Sequence, residues 1–230
     1  MAEWVDAAAD RLSERYVSAI PAQEQLSARI AELLVRSGAV SFRTAPFFRF
    51  TSGVESPVYV DNRQLLGNID ARLELVEALV ETAKPLEVVA VAGTATAGIA
   101  WGAWMADRLA LPFLYVRSEA KAWGKQRAVE GAAPEGARVL VIEDLAYTAG
   151  SLAAAAENLR EAGFVVDDAL TIASYDMPSA HARLQSLDLA HTTLTTIDQA
   201  LRAAQRSGSL GDHEVSVVEN WLREKRTEKD

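Results

Sequence analysis

Cysteine is absent from the 230-residue chain, which excludes disulfides, thiolate metal sites and cysteine nucleophiles together. That absence agrees with a reducing compartment, and the expected location is the cytoplasm. Histidine is scarce: His181, His191 and His213 all fall in the C-terminal part without metal-ligand spacing, so they read as structural or surface groups. Cationic residues are outnumbered, with 23 Lys and Arg against 32 Asp and Glu and a formal net charge of -9. Such a field repels a nucleic-acid backbone, so a polyanion must be met by a local basic patch; small phosphorylated ligands fit and long duplexes do not. Long apolar runs are missing too. Val88 to Ala92 and Ile99 to Met105 are too short, or too interrupted by glycine, to cross a bilayer. Glu3 and Asp6 stand where a secretory signal would carry positive charge. The expectation is a soluble protein without an export signal and without membrane or nucleic-acid partners.

What remains is a chain whose residues are 50% apolar, enough to bury one sizeable core and to read as one domain over 1–230. Apolar residues at helical spacing predict helices over Trp4–Tyr16 and Gln25–Val35, the second stopped by Ser37-Gly38. From Phe47 to Tyr59 aromatic and polar residues alternate around Ser52-Gly53 and Ser56-Pro57, which predicts a short hairpin. Helix resumes over Ala71–Thr82. Strands at Val88–Ala92, Phe113–Val116, Val139–Ile142 and Ala169–Ala173 then alternate with helices at Gly98–Leu109 and Ser151–Glu161. Continuous apolar strands indicate burial on both faces, so the class is α/β, an open and mostly parallel sheet flanked by helices. A weaker strand at Thr192–Leu194 precedes helices at Thr195–Gln205 and Glu214–Arg223, and the charged residues from Glu224 onward are expected to fray. In such sheets ligands bind at the carboxyl ends of the strands, which directs attention to the loops after Ala92, Val116 and Ile142.

The loop after Ile142 is the most informative. Glu143 and Asp144 follow a buried strand, and Tyr147, Thr148, Ala149, Gly150 and Ser151 lead into a helix. Small residues at a helix N-terminus offer backbone N–H groups, hydroxyls and the positive end of the helix dipole to a phosphate. The two acids suit the hydroxyls of a sugar. Taken singly, Ser151 is equally a helix cap and the acids equally a strand end; their order after a buried strand favours a ribose 5-phosphate site.

The run Val139 to Ser151 resembles the phosphoribosyl pyrophosphate signature of type I phosphoribosyltransferases. The resemblance implies that Glu143 and Asp144 hold the ribose hydroxyls and Tyr147 to Ser151 the 5-phosphate. Ser52 to Arg63 resembles the N-terminal segment of the orotate phosphoribosyltransferase family, with Ser52 and Tyr59 as implied substrate contacts. Gly93-Thr94-Ala95-Thr96-Ala97-Gly98 resembles that family's pyrophosphate loop, although so short a glycine loop is equally an ordinary strand-to-helix turn. Tyr115 to Gly131 resembles its catalytic loop, whose cluster of Arg117, Lys121, Lys125 and Arg127 suits a leaving pyrophosphate. The likeness runs from about Ala22 to Leu187. It implies the type I phosphoribosyltransferase fold with N-terminal helices and a small hood over about 1–65, a core over about 66–187 and C-terminal helices over 188–230.

The chain departs from that pattern at particular places. Ala149 stands where a second glycine is usual and Tyr147 where a small or hydroxylated residue is usual, and both narrow the loop. Trp123 replaces a histidine two positions after Lys121, Thr51 replaces a lysine, and Val54 and Glu55 lack basic residues common there. Trp123 reads as a packing aromatic, as a stacking surface for a base, or as a change that abolishes turnover. The resemblance implies magnesium-dependent transfer of phosphoribosyl from phosphoribosyl pyrophosphate to orotate, with Lys121, Arg117 and Asp144 catalytic. The Mg2+ cofactor would be held mainly by the substrate, with Asp144 its candidate protein ligand. A loop over Ser118–Glu130 would close on hinges at Gly124 and Gly131, and the assembly would be a homodimer. A phosphoribosyltransferase acting on another base, and a regulatory protein that binds the same ligand without turnover, are the alternatives the departures leave open.

Overall fold

The computed structural model describes residues 23–50, 55–117 and 128–228. At its centre are five parallel strands, β5 (Ala90–Thr94), β6 (Phe113–Val116), β8 (Arg138–Ala146), β9 (Val165–Ser174) and β10 (Ala190–Thr196). Strand β7 (Val129–Gly131) joins them antiparallel to β6, giving the order β10-β9-β8-β5-β6-β7. Ala90 to Ala92 and Val139 to Ile142 are fully buried, as expected of strands covered on both faces.

Topology decides where the helices go. The chain steps from β5 to β6 in one direction through α3 (Ala97–Leu109), and from β8 to β9 in the other through α4 (Gly150–Glu161). Right-handed crossovers then force α3 and α4 to opposite faces and leave a switch point between β5 and β8. α2 (Ile69–Ala83), whose first turn is capped by Asn68 accepting from the Ala71 N–H at 3.2 Å, packs with α3. α5 (Pro178–Ser186) packs beside α4. A first helix, α1, occupies 23–36 and ends at Gly38 with φ +77°. α6 (Ile197–Arg206) and α7 (Asp212–Thr227) close the chain against each other.

The structure shifts several expected boundaries. The region expected as one hairpin forms two ribbons: β2 (Phe48–Arg49) pairs with β3 (Glu55–Ser56), while β4 (Val58–Val60) pairs with β1 (Val40–Phe42). Strand β5 starts later than expected and takes in Gly93 and Thr94, so the connecting turn is only Ala95-Thr96. Thr195 is a strand residue, and α6 starts at Ile197 with the Thr196 hydroxyl accepting from the Gln199 N–H. The charged C-terminus does not fray at Glu224: α7 continues to Thr227 because Arg226 is tied into the fold. Gly131, expected as a hinge, lies inside β7 opposite Leu114 with φ +99°, where an added Cβ would stand 2.6 Å from the Phe113 carbonyl oxygen. It anchors the base of the loop in the sheet. The expected helix at Trp4–Tyr16 and Gly124 lie outside the described residues, and among the described residues no helix is long and apolar enough to cross a membrane.

Gly93 and Gly98 let α3 sit down on the sheet. A Cβ on Gly98 would fall 2.3 Å from the Ile142 carbonyl oxygen and 2.7 Å from Thr94 Oγ1, and one on Gly93 would fall 2.6 Å from the Gly98 oxygen. The Ile142 and Gly98 oxygens are backbone obstacles, which do not yield as a side chain does. Gly98→Ala is therefore expected to destabilise the protein by about 2 kcal/mol or more through forced separation of α3 from β8, measured as the shift of the urea midpoint at constant slope. An unchanged midpoint would show that the seam is looser than this packing requires.

Candidate active site

Strand β8 is longer than its neighbour on one side. Its pairing with β5 ends at Ile142 opposite Gly93, whereas its pairing with β9 continues to Ala146 opposite Ser174. Glu143 and Asp144 therefore lie inside the strand, not beyond its end as expected, where one edge of β8 has lost its partner. The cleft so opened holds a cavity of about 260 Å3 lined by Thr94, Ala95, Arg117, Gly150 and Ser151, among others. Three separate stretches of sequence singled out for phosphate or pyrophosphate chemistry thus meet in one space.

Glu143 is only 8% exposed, and among the described residues its Oε2 has no hydrogen-bond partner. Burial pushes its carboxyl from an ordinary value near 4.5 up to about 7; the Thr94 hydroxyl pulls the other way, and the Asp144 charge adds to the rise. Asp144 is also raised, first by burial, while the Arg63 guanidinium holds it down. The Asn62 side chain donates to the Asp144 backbone oxygen at 2.9 Å across 82 positions of sequence. Arg63, with its Nε 2.7 Å from Asp61 Oδ1, completes this corner. The N-terminal segment is thereby brought to the acids.

The same N-terminal segment carries an aromatic group. Tyr59 packs against Phe48 and Phe50 at ring-centroid distances of 5.5 and 6.0 Å, and the Arg43 guanidinium lies 4.2 Å from the Phe48 ring centre. Arg117 guards the other side. Its backbone N–H donates to the Ala128 carbonyl at 2.9 Å, closing the neck of the following loop, and its Nη1 makes no hydrogen bond among the described residues, with Glu130 Oε1 at 3.7 Å. The Ala95 N–H is already donated to the Val116 carbonyl at 2.8 Å. Ser52, Lys121, Trp123, Lys125 and Arg127 lie outside the described residues.

The loop Tyr147 to Ser151 turns sharply into α4. Ala149, not Ser151, is the residue before the first helical position; it is buried and has φ +54°. A left-handed residue followed by a helix start aligns successive N–H groups into a concave anion nest. The Tyr147 ring meets Tyr175 edge-on at 5.0 Å, Tyr175 N–H donates to the Ala146 carbonyl at 2.9 Å, and Arg226 of α7 donates to the Tyr175 carbonyl at 2.8 Å. Arg226 also pairs with Asp198. From α5, Arg183 donates to the Thr148 carbonyl at 2.9 Å. Asn62, Tyr175, Arg183 and Arg226 were not among the expected site residues. Asn62 carried the only sequence signal, its place beside Arg63.

Among the described residues no group of three or more His, Asp or Glu side chains gathers to ligate a metal. Two of the three histidines have other partners: His191 lies 2.9 Å from the Thr171 hydroxyl, burial lowering it to about 4, and His181 pairs with Asp176 at 2.7 Å.

The site's geometry can be set beside known proteins. The family described as the phosphoribosyl transferase domain matches residues 66–182. Orotate phosphoribosyltransferase from Bacillus mycoides is 38% identical over 194 residues, covering 84% of this chain and 92% of that protein. The crystal structure of orotate phosphoribosyltransferase from Aeropyrum pernix superposes with a TM-score of 0.68 at 32% identity, covering 79% of this chain and 99% of that one. UMP synthase from Leishmania donovani superposes with a TM-score of 0.74 at 25% identity, covering 86% of this chain, which spans 42% of that longer one.

The titration of Glu143 has a sign that can be tested without any ligand. A carboxyl raised by folding favours the fold while protonated, so its contribution is full below about 4.5 and is lost as the pH rises through about 7. The ligand-free protein should lose up to about 3 kcal/mol across that window from this group, and Glu143→Gln, neutral throughout, should flatten the loss. Denaturant melts at pH 5 and pH 8 measure it; parallel losses in the two proteins would assign the titration elsewhere.

Proposed function

This chain belongs to the orotate phosphoribosyltransferase family, and on that premise we propose that it transfers phosphoribosyl from phosphoribosyl pyrophosphate to orotate, giving orotidine 5-phosphate and pyrophosphate. The observation that carries the reading is the convergence of Thr94, Arg117, Gly150 and Ser151 on one cavity beside Glu143, at the switch point of the sheet.

Departure of pyrophosphate leaves a ribose with oxocarbenium character, so the protein has little covalent work; it must position the reactants and neutralise the leaving group. The nest at Tyr147 to Ser151 receives the 5-phosphate and sets the register of the sugar. Glu143, with one oxygen lacking a hydrogen-bond partner among the described residues and its carboxyl raised to about 7 by burial, accepts from a ribose hydroxyl as a carboxylate, and Asp144 works beside it. Arg117, whose Nη1 makes no hydrogen bond among the described residues, faces the leaving group together with Lys121 and Lys125 from the loop that begins at Ser118. Closure of that loop excludes water from a centre that water would otherwise hydrolyse. The aromatic group around Tyr59 supplies a face for the flat pyrimidine, with Ser52 nearby in sequence.

Magnesium belongs to the same proposal. A small cation that keeps most of its ligands from substrate oxygens and water needs one or two protein carboxylates, not a cage, and Asp144, half-buried and next to Glu143 along β8, suits that role. When bound, the ion supplies further neutralisation of the pyrophosphate. The homodimer and the cytoplasm complete the reading: the first follows from the resemblance, in which the loop lysine acts on a neighbouring subunit's site, and the second from a cysteine-free, acidic chain.

Pyrophosphate release from phosphoribosyl pyrophosphate and magnesium should depend on orotate, and Lys121→Ala should lower it by about a hundredfold or more, the scale of one lost charge-stabilising donor. Coupled pyrophosphate detection with and without orotate makes the measurement. Release that needs a different base would move the acceptor, and tight binding of phosphoribosyl pyrophosphate without release under any acceptor would make the protein a binder.

A further inference from the structure

We propose that Arg183, on α5, is a positioning residue that holds the phosphate loop in its binding shape, a task that elsewhere falls to a glycine. This deepens the proposed function and rests on its reading of Tyr147 to Ser151 as the phosphate nest. Three observations carry it. Ala149 sits at φ +54° in the left-handed region, which a residue with a Cβ enters less readily than glycine. Contacts from outside the loop therefore bear on whether it keeps this conformation.

The restraint is visible. Arg183 Nη1 donates to the Thr148 carbonyl at 2.9 Å, and a Cβ built on Gly150 would stand 3.2 Å from that same nitrogen. The guanidinium is thus packed onto the loop on the side of the Thr148 oxygen. The Thr148–Ala149 peptide is trans, since the cis bonds among the described residues lie elsewhere. In a planar trans unit the N–H points opposite to the C=O. Fixing the Thr148 oxygen toward Arg183 consequently turns the Ala149 N–H away from α5, and the left-handed Ala149 then brings the following N–H groups into the same concavity.

Arg suits this task better than Lys, because a planar guanidinium holds one direction where an ammonium rotates. Its positive charge behind the loop also adds to the helix-dipole field that favours a phosphate in front of it. The side chain itself stays exposed on the far side, so it acts through the loop and not by touching the ligand.

The test uses ribose 5-phosphate as the probe, with binding measured by calorimetry on the full-length protein and thermal melts run in parallel. Arg183→Ala should weaken binding about fivefold, the scale of one charge-assisted hydrogen bond discounted for solvent, with a melting temperature close to wild type because the residue is exposed. Adding Ala149→Gly to that variant should return affinity to within about twofold of wild type, since glycine enters the left-handed region freely. Arg183→Ala binding as tightly as wild type would overturn the inference. So would a double variant that stays as weak as Arg183→Ala, because loop conformation would then not be the link. Wild type failing to bind ribose 5-phosphate would instead bring down the phosphate-loop reading, and this inference with it.

Discussion

The parting of β5 from β8 is the constraint on which the rest of this structure depends. Up to Ile142 the two strands are ordinary parallel neighbours, buried on both faces. Past it β8 runs on with β9 alone, because α3 starts almost immediately after Thr94 and draws the chain away to the other face. The right-handed rule for crossovers makes that divergence obligatory: one connection leaves toward β6 and the other toward β9. A gap at the carboxyl edge is the geometric remainder. Carboxylates placed there are half in the core and half in the cleft, which is why burial pushes the Glu143 carboxyl up to about 7 while one of its oxygens has no hydrogen-bond partner among the described residues.

Everything around the gap either keeps it narrow or supplies groups to it. Gly93 and Gly98 remove the side chains that would hold α3 off the sheet. Asn62 reaches from the N-terminal segment to the backbone of Asp144 and ties the aromatic corner of Phe48, Phe50 and Tyr59 to the acids. On the opposite side the C-terminal helices support the phosphate loop. Arg226 grips the Tyr175 carbonyl and Asp198, Tyr175 grips Ala146 and Tyr147, and Arg183 grips Thr148. A loop that carries alanine at a left-handed position gains from such support, so Arg183 and Arg226, both beyond the end of the matched phosphoribosyl transferase domain at residue 182, bear directly on the site.

Periodicity and punctuation in the sequence were good guides wherever structure depends on near neighbours. The continuous apolar runs correspond to the buried strands, and Ser37-Gly38 ends a helix as expected. The order of acids, small residues and helix after Ile142 located the cleft. Short elements were less legible. Two-residue strands such as β2 and β3 contain too few positions to show alternation, and β7 is specified by its pairing with β6 rather than by its composition. The end of α7 was misplaced because a run of charges reads as solvated until Arg226 is seen to have Asp198 and a carbonyl waiting for it.

By itself, then, the sequence determined the α/β class, the buried strands, the acidic field and the chemical character of the cleft, because these follow from side-chain type and spacing along the chain. Only the tertiary structure decided that Asn62 meets Asp144, that Arg183 meets Thr148, that Arg226 meets Tyr175, and that Glu143 titrates near neutrality. The reason is physical: a polar group's partner and its degree of desolvation are set by elements scores of residues away, and no local pattern encodes which of them will arrive.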